Sequence, residues 1–142
     1  MNQKNHLNSF TLRVRYGDVD PMGFAYYAHY LRWFEIGRTE FLRELGVVYR
    51  DVEESGVIYP VTETYVKYVT PATYDELIEI KTRMDFLKRA SLKLSYEIRN
   101  HESGAIHATG YTVHAAMDRS GRIVRVSEKL LELFGDDKQN KK

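Results

Sequence analysis

The chain has 142 residues, 43% of them hydrophobic, which suits one compact domain and leaves little room for two. A formal net charge of +1 argues against a nucleic-acid partner or a basic membrane footprint, and the absence of cysteine removes disulfides, thiolate catalysis and cysteine-based zinc sites. No apolar run approaches the roughly 20 residues that span a bilayer, and MNQKNHLNS has no signal-peptide core, so a cytoplasmic protein without integral membrane association is expected.

Residues 10 to 16 alternate Phe10, Leu12, Val14 and Tyr16 with Thr11, Arg13 and Arg15, the period-two pattern of a half-buried strand. The segment Tyr16-Gly17-Asp18-Val19-Asp20-Pro21-Met22-Gly23 ends that run and opens a long helix. On this helix Tyr27, Tyr30, Leu31, Phe34, Phe41, Leu42 and Leu45 recur at helical spacing, and Gly46 follows as a C-cap. Tyr26, Trp33 and Ile36 flank the stripe, and such broad apolar coverage predicts a helix wrapped by a sheet. Gly37 inside the helix costs about 1 kcal/mol relative to alanine, which a close backbone approach would explain.

Residues 57 to 69 are β-branched and aromatic, with Pro60 marking an edge or a bend, and residues 71 to 75 form a break. Ile78, Ile80, Thr82, Met84 and Phe86 then share one face of a strand, as do Leu92, Leu94, Tyr96 and Ile98 of the next. The turn Leu87-Lys88-Arg89-Ala90 makes these two an antiparallel pair. Glu102-Ser103-Gly104 turns into a last strand over residues 105 to 117, and Ser127 caps a short helix over residues 128 to 134. The expected architecture is α+β: one domain over residues 1 to 135, with a curved antiparallel five-stranded sheet around a central helix. Residues 136 to 142 read as a polar tail that frays. A single sheet of this kind leaves edges open, so self-association is expected.

The run DVDPMGFAYYAHYLRWFEIGRTEFLRELG combines acids, proline, glycine, an aromatic helix start and a following Arg-Thr-Glu. It resembles the 4-hydroxybenzoyl-CoA thioesterase-like branch of the hotdog-fold enzymes, including the thioesterases encoded near Tol–Pal genes. The resemblance is strongest over residues 10 to 46 and weaker to about residue 135. It implies a hotdog fold, acyl-CoA thioester hydrolysis and a homo-oligomer, dimer or tetramer. CoA is then part of the substrate and no separate cofactor is needed. The family's catalytic carboxylate matches Asp20, as base or nucleophile, and its oxyanion donor matches the backbone N–H of Tyr27. Basic residues of the Lys88-Arg89 turn, with Ser91, match the group that holds the CoA phosphates. The Tol–Pal subgroup usually carries histidine where this chain has Tyr27, which leaves a backbone role intact and removes any imidazole role.

By its own chemistry, Asp20 could simply turn the chain before Pro21, and Lys88 and Arg89 could be a solvated turn. Asp18 is expected to be a structural partner or a capping group. A carboxylate beside a helix N-terminus suits acyl chemistry, because unpaired N–H groups can hold an oxyanion while the acid acts as base or nucleophile. A calcium loop from Asp18 fails, since its fifth and twelfth positions are Met22 and His29. His29 lies about 200° around the helix from Tyr27 and is expected to be structural. His107 and His114, seven apart on one strand, should face opposite sides, so no metal pair is expected. No GxSxG or phosphate-binding glycine loop is present. Two alternatives accompany the thioesterase reading: a non-catalytic acyl-CoA-binding or scaffold hotdog module, which would not need Asp20, and an enoyl-CoA hydratase, whose His/acid spacing is not seen.

Overall fold

A computed structural model describes residue 3 and residues 5 to 135; the expected tail over residues 136 to 142 lies outside the described residues. In chain order the elements are β1 (Leu7–Arg13), a 3₁₀ turn (Tyr16–Asp18), α1 (His29–Glu44), α2 (Tyr49–Ser55), β2 (Val61–Tyr68), β3 (Leu77–Leu87), β4 (Ser91–Asn100), β5 (Ile106–Ala115) and α3 (Glu128–Phe134). The strands form one antiparallel sheet in the order β1-β3-β4-β5-β2. Register shifts at Met84/Phe86, Ile98/Arg99 and Val61/Glu63 bend it, as bulges do, and let it curve around α1. Among the described residues no helix is long and apolar enough to cross a membrane.

The buried face of α1 carries Tyr30, Trp33, Phe34, Gly37 and Phe41. The expected stripe is therefore rotated: Trp33 is buried and Leu31 is exposed. The cause is Gly37. A Cβ at that position would lie 2.6 Å from Thr82 Oγ1 and 2.7 Å from Ile80 Cγ2 on β3, so the bare backbone is the point of nearest approach to the sheet. One turn earlier, Phe34 stacks on Tyr96 of β4 with centroids 4.3 Å apart. The space for its ring exists because Gly110 of β5 has no side chain; a Cβ there would sit 2.8 Å from the Phe34 ring. Sheet and helix thus meet through two glycines and a stacked pair.

Two expectations are corrected. The helix starts at His29, so Tyr27, expected on it, lies in the turn before it, and α2 is not foreshadowed because its sequence YRDVEES carries no apolar stripe. The strand anticipated over residues 57 to 69 contracts to Val61–Tyr68, beginning directly after Pro60. This strand is a sheet edge, and all its residues except Val66 are exposed, Val61, Tyr65 and Tyr68 included.

Candidate active site

After β1 the chain makes a tight hairpin in which Val19 pairs with Ala25 and the Asp20 N–H donates to the Phe24 carbonyl at 2.8 Å. The Gly23 N–H closes the turn on the Asp20 carbonyl at 2.9 Å, and Gly23 takes the left-handed φ of +85° that the geometry requires. Pro21 fixes the first corner, which accounts for the order Asp-Pro-Met-Gly. Asp20 Oδ1 accepts from the Met22 and Phe24 N–H groups at 2.9 and 3.2 Å. Its Oδ2 has no partner among the described residues. One oxygen therefore holds the carboxylate still, and the other is unpaired among the described residues.

The hairpin is backed by residues 70 to 76. The Ala25 N–H donates to the Ala72 carbonyl at 2.8 Å, Phe24 bridges to Thr73, and the Tyr74 N–H reaches the Gly23 carbonyl at 3.3 Å. That backing segment is in turn clamped by Glu76. Its carboxylate accepts from the Thr73 N–H at 3.0 Å and Thr73 Oγ1 at 3.2 Å, from Asn100 Nδ2 at 2.8 Å, and from the His107 ring. The other ring nitrogen of His107 meets the Thr70 carbonyl at 3.0 Å. Burial pushes the Glu76 carboxyl up, but the hydrogen bonds from His107, Thr73 and Asn100 outweigh it and leave the group below the usual carboxylate range.

Asp18 is buried at the hairpin base, where Oδ2 accepts from the Arg15 N–H at 2.9 Å. Oδ1 lies 4.0 Å from both His29 Nδ1 and Arg32 Nη1, in the first turn of α1. Asp18 therefore ties the helix start to the hairpin, the structural role expected of it, and His29 serves as its partner.

Tyr27 sits in the turn just before α1. Its amide and that of Ala28 have no acceptor among the described residues, whereas the His29, Tyr30 and Leu31 N–H groups bond the Tyr26, Tyr27 and Ala28 carbonyls at 2.9, 3.4 and 3.2 Å. The Tyr68 hydroxyl donates to the Tyr27 carbonyl at 2.9 Å, linking the helix start to edge strand β2. A cavity of about 170 Å³ opens here, lined by Ala25, Tyr27, Tyr30, Tyr68 and Thr70. Asp20 and Tyr27 thus share one hairpin–helix junction with two free amides and one free carboxylate oxygen.

The third group lies elsewhere. Lys88, Arg89 and Ser91 form the β3–β4 turn, closed by the Lys88 N–H on the Ser91 carbonyl at 2.8 Å. Lys88 and Arg89 are exposed, and Lys88 Nζ rests 4.5 Å from the centre of the Phe86 ring. Since β1 pairs Arg13 with Leu77, the Asp20 hairpin follows the Leu77 end of β3, whereas the turn follows Leu87. Eleven residues of strand, about 36 Å, run between those ends. A single chain does not bring the two groups together.

Residues 14–134, which hold both the hairpin and the wrapped helix, match the family model described as the thioesterase-like superfamily. The chain belongs to that superfamily. Among relatives of this thioesterase-like chain, the provisionally named acyl-CoA thioesterase YneP of Bacillus subtilis is 32% identical over 114 residues, covering 80% of this chain and 82% of that protein. The acyl-CoA thioester hydrolase YbgC of Escherichia coli is 33% identical over 92 residues, 65% of this chain and 69% of the relative. Among solved structures, the DHNA-CoA thioesterase of Staphylococcus aureus superposes with a TM-score of 0.79 at 32% identity, covering 84% of this chain and 80% of that one. The five-stranded antiparallel sheet wrapped on α1 is the hotdog fold of these thioesterases.

Neither the clamp formed by Glu76 with His107 nor the bond from Tyr68 to Tyr27 is foreshadowed in the sequence. Residues 71 to 75 read as a break, and apart from Thr73 the partners of Glu76, Asn100 and His107, stand 24 and 31 positions away, so no local pattern joins them. His107 stands at the outward parity of β5, where a polar residue is ordinary, and only its burial in the structure marks it out.

Proposed function

We propose that this thioesterase-like chain hydrolyses acyl-CoA to a free acid and CoA, with Asp20 as base or nucleophile and the Tyr27 backbone N–H as oxyanion donor. The observation that carries this reading is the hairpin–helix junction, where Asp20 of the hairpin offers an unpartnered Oδ2 and the helix start offers the unpaired amides of Tyr27 and Ala28. As a base, Asp20 takes a proton from water while the oxygen attacks the thioester carbonyl. The resulting oxyanion collapses, the C–S bond breaks, and the CoA thiolate leaves and is protonated. As a nucleophile, Oδ2 attacks directly, CoA leaves, and water hydrolyses the mixed anhydride. Either route concentrates negative charge where free N–H groups are worth most, about 2.7–4 kcal/mol of barrier for one donor in comparable sites.

The CoA phosphates are assigned to Lys88 and Arg89, with Ser91, of a neighbouring subunit, because the turn is a strand's length from Asp20 within one chain. Edge geometry supports that assignment. On β2, Tyr68 lies at the Tyr27 end and Val61 pairs through His114 to Leu92 at the turn end. Two β2 edges paired antiparallel in a homodimer would set one subunit's turn end alongside the other's Tyr27 end. The deciding assay is thiol release from short aliphatic, long aliphatic and aromatic acyl-CoA, with enoyl-CoA hydration followed in parallel. Release from at least one class, abolished in Asp20→Asn, is expected. Hydration without release, or binding without turnover, would reject the reading.

A further inference from the structure

A second cavity, of about 270 Å³, lies toward the other end of α1, enclosed by that helix, α2, α3 and the inner faces of β3 to β5. Its walls are mainly aliphatic, with Leu42, Val52, Leu94 and Leu130 among them, and Arg38 reaches into it from α1. Arg38 is nine residues beyond His29, about 13 Å along the helix axis, so this hollow is separate from the Asp20 hairpin.

Arg38 is half-buried, and among the described residues no carboxylate stands within ion-pair distance of it. It sits instead against the Tyr96 hydroxyl and near His114. These groups form an oriented chain: Tyr96 Oη to Thr112 Oγ1 at 2.6 Å, Thr112 Oγ1 to His114 Nε2 at 2.8 Å, and His114 Nδ1 to the Tyr59 carbonyl at 2.9 Å. A carbonyl can only accept, so Nδ1 carries the proton, Nε2 accepts from Thr112, and Tyr96 donates to Thr112. Burial, reinforced by Arg38, holds His114 below its ordinary value, so the chain is neutral and supplies no counter-charge.

At the exposed mouth, Asp51 accepts from the Val48 N–H at 3.3 Å and Lys129 stands opposite on α3, one charge of each sign. The inner cation remains uncompensated. A guanidinium in an apolar hollow is costly without an anion and favours one that can accept two hydrogen bonds in its plane. The remaining walls select an alkyl body. An apolar cavity of about 150 Å³ accepts benzene, so 270 Å³ suits a carboxylate with a chain of about eight carbons.

We propose that this cavity is a binding site for a medium-chain alkyl carboxylate, with the carboxylate on Arg38 and the chain along Leu42, Val52, Leu94 and Leu130. The proposal stands without the catalytic reading. Where that reading also holds, the ligand is of the same class as the released acid, and the cavity is a second site for product.

The test titrates full-length protein with octanoate, octan-1-ol and octylammonium by calorimetry, and maps octanoate by NMR of methyl-labelled leucine, valine and alanine. Octanoate should bind at one site per chain that shifts Leu42, Leu94 and Leu130, with octan-1-ol at least about tenfold weaker and octylammonium weaker still. Arg38→Gln should lose about tenfold or more for octanoate while leaving octan-1-ol unchanged, and Arg38→Lys should recover part of the loss. The positions of the shifted methyls separate this site from product held at the hairpin, and octanoate binding at them should persist in Asp20→Asn. Shifts confined to Ala25 and its surroundings, no binding at millimolar octanoate, or equal affinity for the three ligands would each overturn the proposal. The three-ligand comparison uses the native chain, so it decides the matter even if Arg38→Gln does not fold.

Discussion

The two oxygens of Asp20 differ. Oδ1 receives the Met22 and Phe24 amides and sets the hairpin, while Oδ2 is unpaired among the described residues and is the atom to which the proposed function gives the chemistry. Asp20→Asn keeps a side-chain carbonyl oxygen that can accept the same two hydrogen bonds, so the hairpin should survive. An amide is a far poorer base and nucleophile, so kcat for acyl-CoA should fall by about 10²-fold or more with an unchanged melting temperature. Steady-state thiol release beside thermal denaturation checks both halves; near-normal turnover would remove Asp20 from the mechanism. Tyr27 is the complementary case. Under the proposed function its contribution is a main-chain N–H, so Tyr27→Phe should keep kcat within about threefold of the native enzyme. A loss comparable to that of Asp20→Asn would instead assign the chemistry to the phenol.

At the scale of elements, helix and sheet are set by their point of nearest approach. Gly37→Ala improves intrinsic helix propensity by about 1 kcal/mol, yet its methyl would press on Thr82 Oγ1 and Ile80 Cγ2. Overpacking of that kind costs about 1–3 kcal/mol, so net destabilisation by urea titration is expected; a more stable variant would show that α1 can shift away from β3 without loss. This contact was legible in the sequence, since a glycine that weakens an aromatic helix is kept where a neighbouring backbone or side chain leaves no room for a Cβ. The face of the helix was less legible, because an apolar stripe wider than its buried strip does not say which edge turns outward: Leu31, in the main stripe, is exposed, and Trp33, on its flank, is buried. The Asp-Pro-Met-Gly hairpin could be named from its residues, but the division of labour between the oxygens of Asp20 could not. Least visible was the Glu76–His107 clamp, whose members meet only after three strands have paired. It carries a pH dependence. Glu76 is held below the ordinary carboxylate value, so its stabilising effect is complete above about pH 4.3 and is lost as pH falls from there through its folded-state value. Glu76→Gln should lower stability at neutral pH and flatten the acid limb of a stability–pH profile. An unaltered acid limb would mean that other carboxylates, such as Glu44 or Asp118, dominate it.

For the whole molecule, the sheet ends decide what one chain can do alone. β2 is an edge whose side chains are exposed on both faces, and the Lys88-Arg89 turn lies a full strand away from Asp20. An antiparallel pairing of two β2 edges would resolve both features, and under the proposed function each catalytic site would then be a composite of two subunits. Lys88→Ala/Arg89→Ala should then raise KM for acyl-CoA and weaken its salt dependence, with little effect on acyl-pantetheine, which lacks the nucleotide phosphates. A stronger test mixes two proteins that each turn over acyl-CoA poorly at low substrate. In a heterodimer of the Asp20→Asn chain with the basic-turn double variant, one site combines an intact Asp20 with an intact turn, and the other combines both lesions. Random exchange makes half the dimers mixed, so about a quarter of native activity at low substrate should return. Light scattering should find a dimer or tetramer at micromolar concentration, and recovery should follow the rate at which differently tagged subunits exchange. Complete exchange without any recovery would place Asp20 and its phosphate-binding cations in one chain, and would send the search for those cations back to the Leu77 end of β3.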